Sequence, residues 1–132
     1  MVTVKKAILN ISGHPLSQEA IEIFAQKFDV IEDVKFNLIN FNIDINSQIE
    51  SVINLILTPL DGTVGITIIP PSPSVFAILI TSYIEGLLGN YPSICLLEPN
   101  KDGIYVPNFN ATTNGNILRK YARERRLNKW RE

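Results

Sequence analysis

The sequence predicts an α/β domain of three layers, in which a mainly parallel sheet lies between helices. Short apolar runs alternate with stretches whose apolar residues recur every three or four positions, in the order β-α-β-α-β-α-β-β-α. One run, 63–69, is uncharged and rich in β-branched residues, as expected of a central strand that is covered on both faces. The 132 residues, of which 45% are hydrophobic, suffice for one domain with its own core. We therefore expect residues 1–132 to fold as a single domain.

The elements before the central strand are predicted from local pattern. In chain order they are a strand over about 4–11, a helix over about 17–28, a strand over 33–39 and a helix over about 47–57. Ser17 is a preferred N-cap residue for the first helix. The second strand is predicted because apolar residues alternate at Val34, Phe36 and Leu38. The segment 40–46 is ambiguous.

The second half of the chain follows the same alternation. Its elements are the central strand over 63–69, a helix from the segment 70–74 to about 88, a strand over 93–98, a short strand over 104–106 and a basic helix over about 116–130. Gly89 ends the third helix, and the turn at 100–103 pairs the last two strands as a hairpin. The segment 110–115 is rich in turn-forming residues and is expected to be a loop.

Composition excludes several classes of protein. Cys95 is the only cysteine, so no internal disulfide forms, and its apolar neighbours predict a buried side chain. No spacing of cysteines and histidines indicates a zinc site, and we predict no metal and no cofactor. The longest apolar stretch, 75–88, is too short to span a bilayer, and no signal peptide is visible. We expect a soluble, cytoplasmic protein that does not contact membranes.

The net charge of −1 conceals a division between the body and the C-terminal segment 116–132. Residues 119–132 carry seven basic and two acidic side chains, whereas the rest carries five basic and eleven acidic ones. The basic helix could close over an anionic ligand or bind the acidic surface of another copy. It could equally be a solvated helix that packs apolar side chains against the core, namely Leu118, Tyr121, Leu127 and Trp130. Because the body is acidic, long nucleic acids are not expected as partners.

A first candidate binding loop follows the first strand, at Ser12-Gly13-His14-Pro15. Gly13 permits backbone conformations closed to other residues, and Ser12 offers a hydroxyl group. Asn10 contributes an amide at the end of the strand, and His14, the only histidine, contributes an imidazole able to act near neutral pH. The alternative is an ordinary surface or capping histidine.

A second candidate loop, Pro70-Pro71-Ser72-Pro73-Ser74, precedes the third helix. Ser72 as N-cap with Pro73 at the first helical position is a preferred helix opening. The first backbone N–H groups of such a helix favour a phosphate or carboxylate, and the Ser72 and Ser74 hydroxyls add two donors. Pro70 and Pro71 keep the loop rigid, which lowers the cost of ordering it. The alternative is a plain capped helix start.

Right-handed crossovers place both loops at the same edge of the sheet, where open α/β sheets bind ligands. The chain has neither the glycine-rich dinucleotide fingerprint nor a phosphate-binding Gly-Lys-Ser sequence. It also lacks the Gly-x-Ser-x-Gly sequence of serine hydrolases and a recurring pair of carboxylates. The loops therefore predict a binding site first, and any chemistry there is expected to run without metal.

Three segments resemble a small family of CRISPR-associated accessory proteins. They are Ala7–Leu16, with its Ser-Gly-His-Pro loop, Pro71–Ser74, and Glu85–Pro92 with the sequence EGLLGNYP. That family belongs to type III CRISPR systems and has a Rossmann-like CARF (CRISPR-associated Rossmann fold) architecture. The resemblance covers most of the chain between residues 7 and 97.

The resemblance implies a homodimer, or a higher assembly, that binds cyclic oligoadenylate, most often cyclic tetra-adenylate, across its two-fold axis. It further implies a relation to ring nucleases, which linearise this second messenger. The expected ligand contacts are Asn10, Ser12, Gly13, His14, Pro71, Ser72 and Ser74. His14 is the one candidate for a catalytic acid, and the candidates for charge stabilisation are Lys5, Lys6 and Lys101.

Two questions stay open at this point. A pocket without an acid would hold the ring intact and lower its concentration by sequestration, whereas an acid would permit cleavage through the neighbouring ribose 2′-hydroxyl. The alternatives to a ring-binding protein are a small enzyme that handles nucleotides or sugar phosphates, and an interaction module that assembles through the basic helix.

Overall fold

The computed structural model describes residues 5–130, apart from the side chains at 111–113, 129 and 130. The elements are β1 (Lys6–Asn10), α1 (Gln18–Ala25), β2 (Val30–Asp33), α2 (Ile45–Leu55), β3 (Gly65–Ile69), α3 (Ser74–Leu88), β4 (Ser93–Pro99), β5 (Tyr105–Asn114) and α4 (Gly115–Trp130). This alternation confirms the predicted α/β class with a C-terminal helix. None of the described helices combines the length and the apolar composition needed to cross a bilayer.

The five strands form one mixed sheet in the order β2-β1-β3-β4-β5. β1 pairs in parallel with β2 and β3, and β3 with β4, while β5 is antiparallel to β4. The uncharged strand β3 is central, as predicted. From β1 the chain crosses towards one edge of the sheet, and from β3 towards the other. The loops that leave β1 and β3 therefore diverge, which opens a crevice at a topological switch point.

Side chains that alternate along the strands build a core on each face of the sheet. On β1, Ala7 and Leu9 join the core under α2 and α3, whereas Ile8 joins the core under α1. Phe76 and Ile80 of α3 pack on the first face, and Phe24 of α1 packs on the second. Helices cover both faces, so the fold has the three predicted layers.

The strand predicted at 33–39 is wrong, because β2 is Val30–Asp33. Its register against β1 runs from Ala7↔Val30 to Asn10↔Asp33, and the amide of Val34 makes one last hydrogen bond to the Asn10 carbonyl. Beyond that point β1 has ended and offers no further partner. The alternation at 34–38 therefore does not form a strand, and Leu38 is 95% exposed.

The last strand is longer than predicted. β5 spans Tyr105–Asn114, where the sequence predicted a strand at 104–106 and a loop at 110–115. β4 supplies the partner along its whole length, with a register shift between Ile94 and Leu96. Tertiary pairing thus overrides the turn-forming composition of this segment.

Two helix starts also differ from prediction. α3 begins at Ser74, and its N-cap is Pro73, with no side-chain cap hydrogen bond, so Ser72 is not the cap. α2 begins at Ile45 with Asp44 as N-cap. The caps of α1 at Ser17 and of α3 at Gly89, which has a φ of 78°, are as predicted.

The basic helix α4 does not pack against the core as one of its predicted roles required. Leu118, Tyr121 and Leu127 are 49–60% exposed, and the side chain of Trp130 lies outside the described part of the chain. The helix is attached near its start. Arg119 forms an ion pair with Glu85 at 3.7 Å and lies over the Tyr91 ring, 5.3 Å from its centroid.

Candidate functional site

A cavity of about 570 Å³ opens at the carboxyl ends of β1 and β3, a volume typical of small-molecule sites. We call it the switch-point cleft. Three segments line it: the loop after β1, the segment after β3 and the β4–β5 hairpin. The lining residues are Ser12, His14 and Pro15 from the first, Ile69, Pro70 and Ser72 from the second, and Cys95, Leu96, Leu97 and Tyr105 from the third.

The β4–β5 hairpin forms one wall of this cleft because it extends beyond the neighbouring strand. Thr67 pairs with Ser93 and Ile68 with Ile94, so β3 ends while β4 continues to Pro99. At about 3.3 Å per residue, the segment 96–99 projects roughly 13 Å past the end of β3. The buried Cys95, as predicted from its apolar neighbours, belongs to the apolar part of the lining.

Asn10 determines the shape of the loop after β1. Its side chain is buried, and Nδ2 donates to the His14 carbonyl at 2.7 Å and to Asp33 Oδ1 at 2.6 Å. Its Oδ1 accepts from the Ser12 amide at 3.1 Å and from Ser12 Oγ at 2.6 Å. An asparagine amide has two protons and two acceptor positions, so all four are used. Asn10 therefore positions the loop and has no proton left for a ligand.

Ser12 and Gly13 complete this arrangement. Ser12 Oγ lies within hydrogen-bond distance of Asn10 Oδ1 and of the His14 carbonyl, and accepts from the His14 amide at 3.2 Å. Gly13 has a φ of 84°, the left-handed conformation that its position in the turn requires. The glycine prediction is thus confirmed, and the loop presents a fixed backbone to the cleft.

His14 stands between two cavities. Besides the cleft, it lines a second cavity of about 310 Å³, which we call the β2-side pocket. That pocket is formed by Asn10, Gly13, His14, Pro15, Asp33, Val34, Lys35 and Phe36. The backbone of His14 is held on both sides by Asn10 and Ser12, whereas its side chain is exposed. The imidazole is therefore available to a ligand in either cavity.

The segment after β3 brings Ser72 to the cleft and leads into the uncapped start of α3. At the helix start, the Ala77 amide donates a hydrogen bond to the Pro73 carbonyl at 2.9 Å. The amides at the beginning of α3 precede that bond, and such amides attract anions. Pro71 is buried, and Ser74 is exposed as the first residue of α3.

The structure thus brings Ser12, His14 and Ser72 together on one cleft, while Asn10 and Gly13 line the β2-side pocket. Sequence reasoning missed Tyr105, which is 57% exposed, lines the cleft and accepts a 2.8 Å hydrogen bond from Ser17 Oγ at its carbonyl. One signal was present: an antiparallel last strand begins at the edge where the parallel strands end.

The charges near the site are few. Among the described residues that line the switch-point cleft, none is lysine or arginine. Lys35 lines the β2-side pocket. Lys5 and Lys6 lie at the start of β1, the opposite end of that strand, so they cannot stabilise charge in the cleft of the same protomer. Lys101 lies in the hairpin turn.

Comparisons of this chain with protein-family models, with curated proteins and with solved structures give no match. The strand order and the two adjoining cavities are therefore the features from which a function has to be argued.

Proposed function

We propose that this protein binds a cyclic oligoadenylate, specifically cyclic tetra-adenylate, in the switch-point cleft and thereby lowers its free concentration. The observation that supports the proposal is the position of the cleft between the loops that follow β1 and β3, with His14 and Ser72 both in its lining. The choice of ligand comes from the resemblance of those two loops to CARF-type accessory proteins of type III CRISPR systems.

The lining suits the chemistry of a nucleotide ring. The hydroxyl of Ser72 and the uncapped amides at the start of α3 are neutral donors for phosphate oxygens. The exposed ring of Tyr105 offers a face on which an adenine can stack, an interaction worth roughly 1–3 kcal/mol per base. Leu97 and Cys95 add apolar contact area.

The proposal includes a homodimer, since one cleft of this size would hold only part of a ring of four nucleotides. A second copy would complete the site and would also cover apolar surface. On α4, Ile117, Leu118 and Tyr121 are exposed, and the helix carries the positive charge of a chain whose remainder is negative. Charge complementarity therefore favours α4 of one copy against the body of another.

Cleavage of the ring would require His14. In this reaction the ribose 2′-oxygen forms a bond to the adjacent phosphorus while the bond from phosphorus to the 5′-oxygen breaks. The 2′-hydroxyl gives its proton to a water molecule, and the departing 5′-oxygen takes one from an acid, a role open to the imidazole of His14. The products are a 2′,3′-cyclic phosphate end and a 5′-hydroxyl end. If His14 only contacts the ring, the protein acts by sequestration.

Incubation with labelled cyclic tetra-adenylate, followed by a native gel and a denaturing separation, tests the proposal. We expect a retarded species on the native gel, which Ser72→Ala weakens and Ser82→Ala, on the exposed face of α3, does not. Linear product that disappears in His14→Ala would identify a nuclease, and a retarded intact ring would identify sequestration. The absence of both a retarded species and a linear product would contradict the proposal.

A second candidate function is the binding of a mononucleotide or sugar phosphate in the same cleft. The order β2-β1-β3-β4-β5 favours it, because flavodoxin, which has this strand order, binds one flavin mononucleotide at the β1/β3 switch point. A thermal-shift screen of mononucleotides tests this alternative: stabilisation by a mononucleotide but not by the ring would select it.

A further inference from the structure

The β2-side pocket adjoins the switch-point cleft, because His14 and Pro15 line both cavities. A ligand whose phosphate lies in the cleft can therefore extend past His14 into this pocket. The lining there is different in character, with a carboxylate at Asp33, an ammonium group at Lys35 and the apolar Val34 and Phe36. The ring of Phe36 is fixed by stacking on Phe76, with centroids 5.4 Å apart.

Asp33 is the last residue of β2, and its carboxylate is oriented by the protein. Oδ1 accepts a 2.6 Å hydrogen bond from Nδ2 of the buried Asn10. Among the described residues, Asp33 accepts its one side-chain hydrogen bond at Oδ1, so none of them hydrogen-bonds to Oδ2, and no ion pair joins Asp33 to Lys35. The exposed side chain thus keeps one oxygen available as an acceptor next to His14.

A carboxylate in this place favours one part of a nucleotide over the others. An ionised carboxylate repels the negative charge of a phosphate. It only accepts hydrogen bonds, so it binds the hydroxyl groups of the sugar well and does not pair with acceptor atoms of the ligand. In α/β folds that bind nucleotides, an acidic residue at the end of the strand after the phosphate-binding loop accepts a hydrogen bond from the ribose 2′-hydroxyl. Asp33 has that relation to the loop after β1.

We propose that the β2-side pocket is a ribose site, in which Asp33 accepts a hydrogen bond from a 2′-hydroxyl and selects ribonucleotides over 2′-deoxyribonucleotides. The inference rests on the proposed function, since it assigns the sugar of the same ligand whose phosphate binds in the cleft. Asn10 acts here as a positioning residue that orients the carboxylate.

The test compares equilibrium affinities for cyclic tetra-adenylate and for its 2′-deoxy counterpart, in the wild-type protein and in Asp33→Asn. We expect the wild-type protein to prefer the ribose ring by roughly 10- to 100-fold, the range for one hydrogen bond to a charged group. Asp33→Asn should lose this preference. Its amide oxygen can still accept from Asn10, while an NH₂ group replaces the free acceptor oxygen, so the loop keeps its support.

Glu50→Gln is the matched control, because Glu50 is an exposed carboxylate on α2 that does not line the pocket. Removal of any negative charge from the protein should slightly raise its affinity for an anionic ring. Weaker binding of the ribose ring by Asp33→Asn, together with unchanged preference in Glu50→Gln, therefore supports a specific contact. Thermal unfolding of both variants shows whether they are folded.

Equal wild-type affinity for the two rings would overturn the ribose site and leave the proposed function intact. An unchanged preference in Asp33→Asn would overturn the assignment to Asp33. If the ring does not bind, the same comparison is made with adenosine 5′-monophosphate and its 2′-deoxy form. An Asp33-dependent preference for the ribose form would then support the ribose site while the proposed function fails, and binding of neither nucleotide would contradict both.

Discussion

At the scale of single residues, the shape of the site depends on Asn10. Its side chain is only 3% exposed and connects the end of β1 with Ser12, the His14 carbonyl and Asp33 of β2. A polar side chain is stable in such a place only because each of its donors and acceptors has a partner. Asn10 thus links the loop that enters the cleft to the carboxylate of the β2-side pocket.

Replacement of Asn10 by alanine should lower the free energy of unfolding by about 1–3 kcal/mol, because it leaves several polar partners unpaired. Urea titration measures this change. Ser12→Ala is the control, since it removes one hydroxyl from the same cluster and should cost less. Equal stability of Asn10→Ala and the wild type would show that the cluster does not support the loop.

Gly13→Ala and Gly86→Ala make the same chemical change and should have opposite effects. Gly13 has a φ of 84°, where a side chain costs about 1–2 kcal/mol. Gly86 lies within α3, and a Cβ there would meet no atom within 4 Å, so alanine should stabilise by about 0.5–1 kcal/mol. The unfolding midpoints of the two variants provide the measurement. An unchanged unfolding midpoint in Gly13→Ala would contradict the left-handed conformation of Gly13 in this turn.

At the scale of elements, local signals predicted the existence of the four helices and of the strands β1, β3 and β4, whereas non-local pairing decided the position of β2 and the length of β5. The apolar stripe and the Ser17 cap identify α1 within the segment alone. The position of β2 depends instead on its register against β1, and the length of β5 on its pairing with β4. A single-sequence pattern contains neither register.

The candidate site divides in the same way. Ser12, His14 and Ser72 follow strands that are recognisable from their own composition, so the sequence predicts that they share one edge of the sheet, and all three line the cleft. Tyr105 reaches the cleft through the hairpin register, and Asp33 faces the β2-side pocket because β2 ends there, so both were missed. Ser72 lines the cleft, as the sequence predicts, but it is not the N-cap of α3, because that position is Pro73.

Ser17→Ala tests how α1 is attached to the hairpin wall. Ser17 Oγ accepts from the Ala20 amide at 3.1 Å and donates to the Tyr105 carbonyl at 2.8 Å. Loss of the cap should cost about 1 kcal/mol in the free energy of unfolding, with a further loss from the Tyr105 contact. The control is Ser82→Ala, which should change stability little, because among the described residues the Ser82 hydroxyl bonds only to the Ile78 carbonyl within α3. Similar costs for the two variants would argue against the cap.

At the scale of the whole molecule, charge and exposed apolar surface are unevenly distributed. The C-terminal helix carries six of the twelve basic residues and exposes Ile117, Leu118 and Tyr121, while α3 exposes Val75 and Ile78. α4 is attached through its first turns, where Asn116 pairs with the backbone of Tyr91 and Arg119 with Glu85. We propose that the part of α4 beyond Arg119 contacts another copy.

Truncation after Arg119 should therefore reduce assembly without unfolding the domain. It keeps the contacts of Asn116 and Arg119 and removes six basic and two acidic side chains. We expect the truncated chain to sediment as an assembly of fewer chains than the full chain does. Its unfolding temperature should be nearly the same. If the truncated and full chains sediment as assemblies of the same number of chains, this part of α4 is excluded from the interface.

We propose that the ligand occupies the cleft between the loops after β1 and β3. Titration of ¹⁵N-labelled protein with cyclic tetra-adenylate tests it most directly, because backbone amides report on each loop separately. We expect saturable changes in the chemical shifts of the backbone amides at 12–14, at 72 and 74–76, and at Tyr105, with little change at the turn 61–63. Shifts confined to other surfaces, or no saturable shift in either loop, would contradict it.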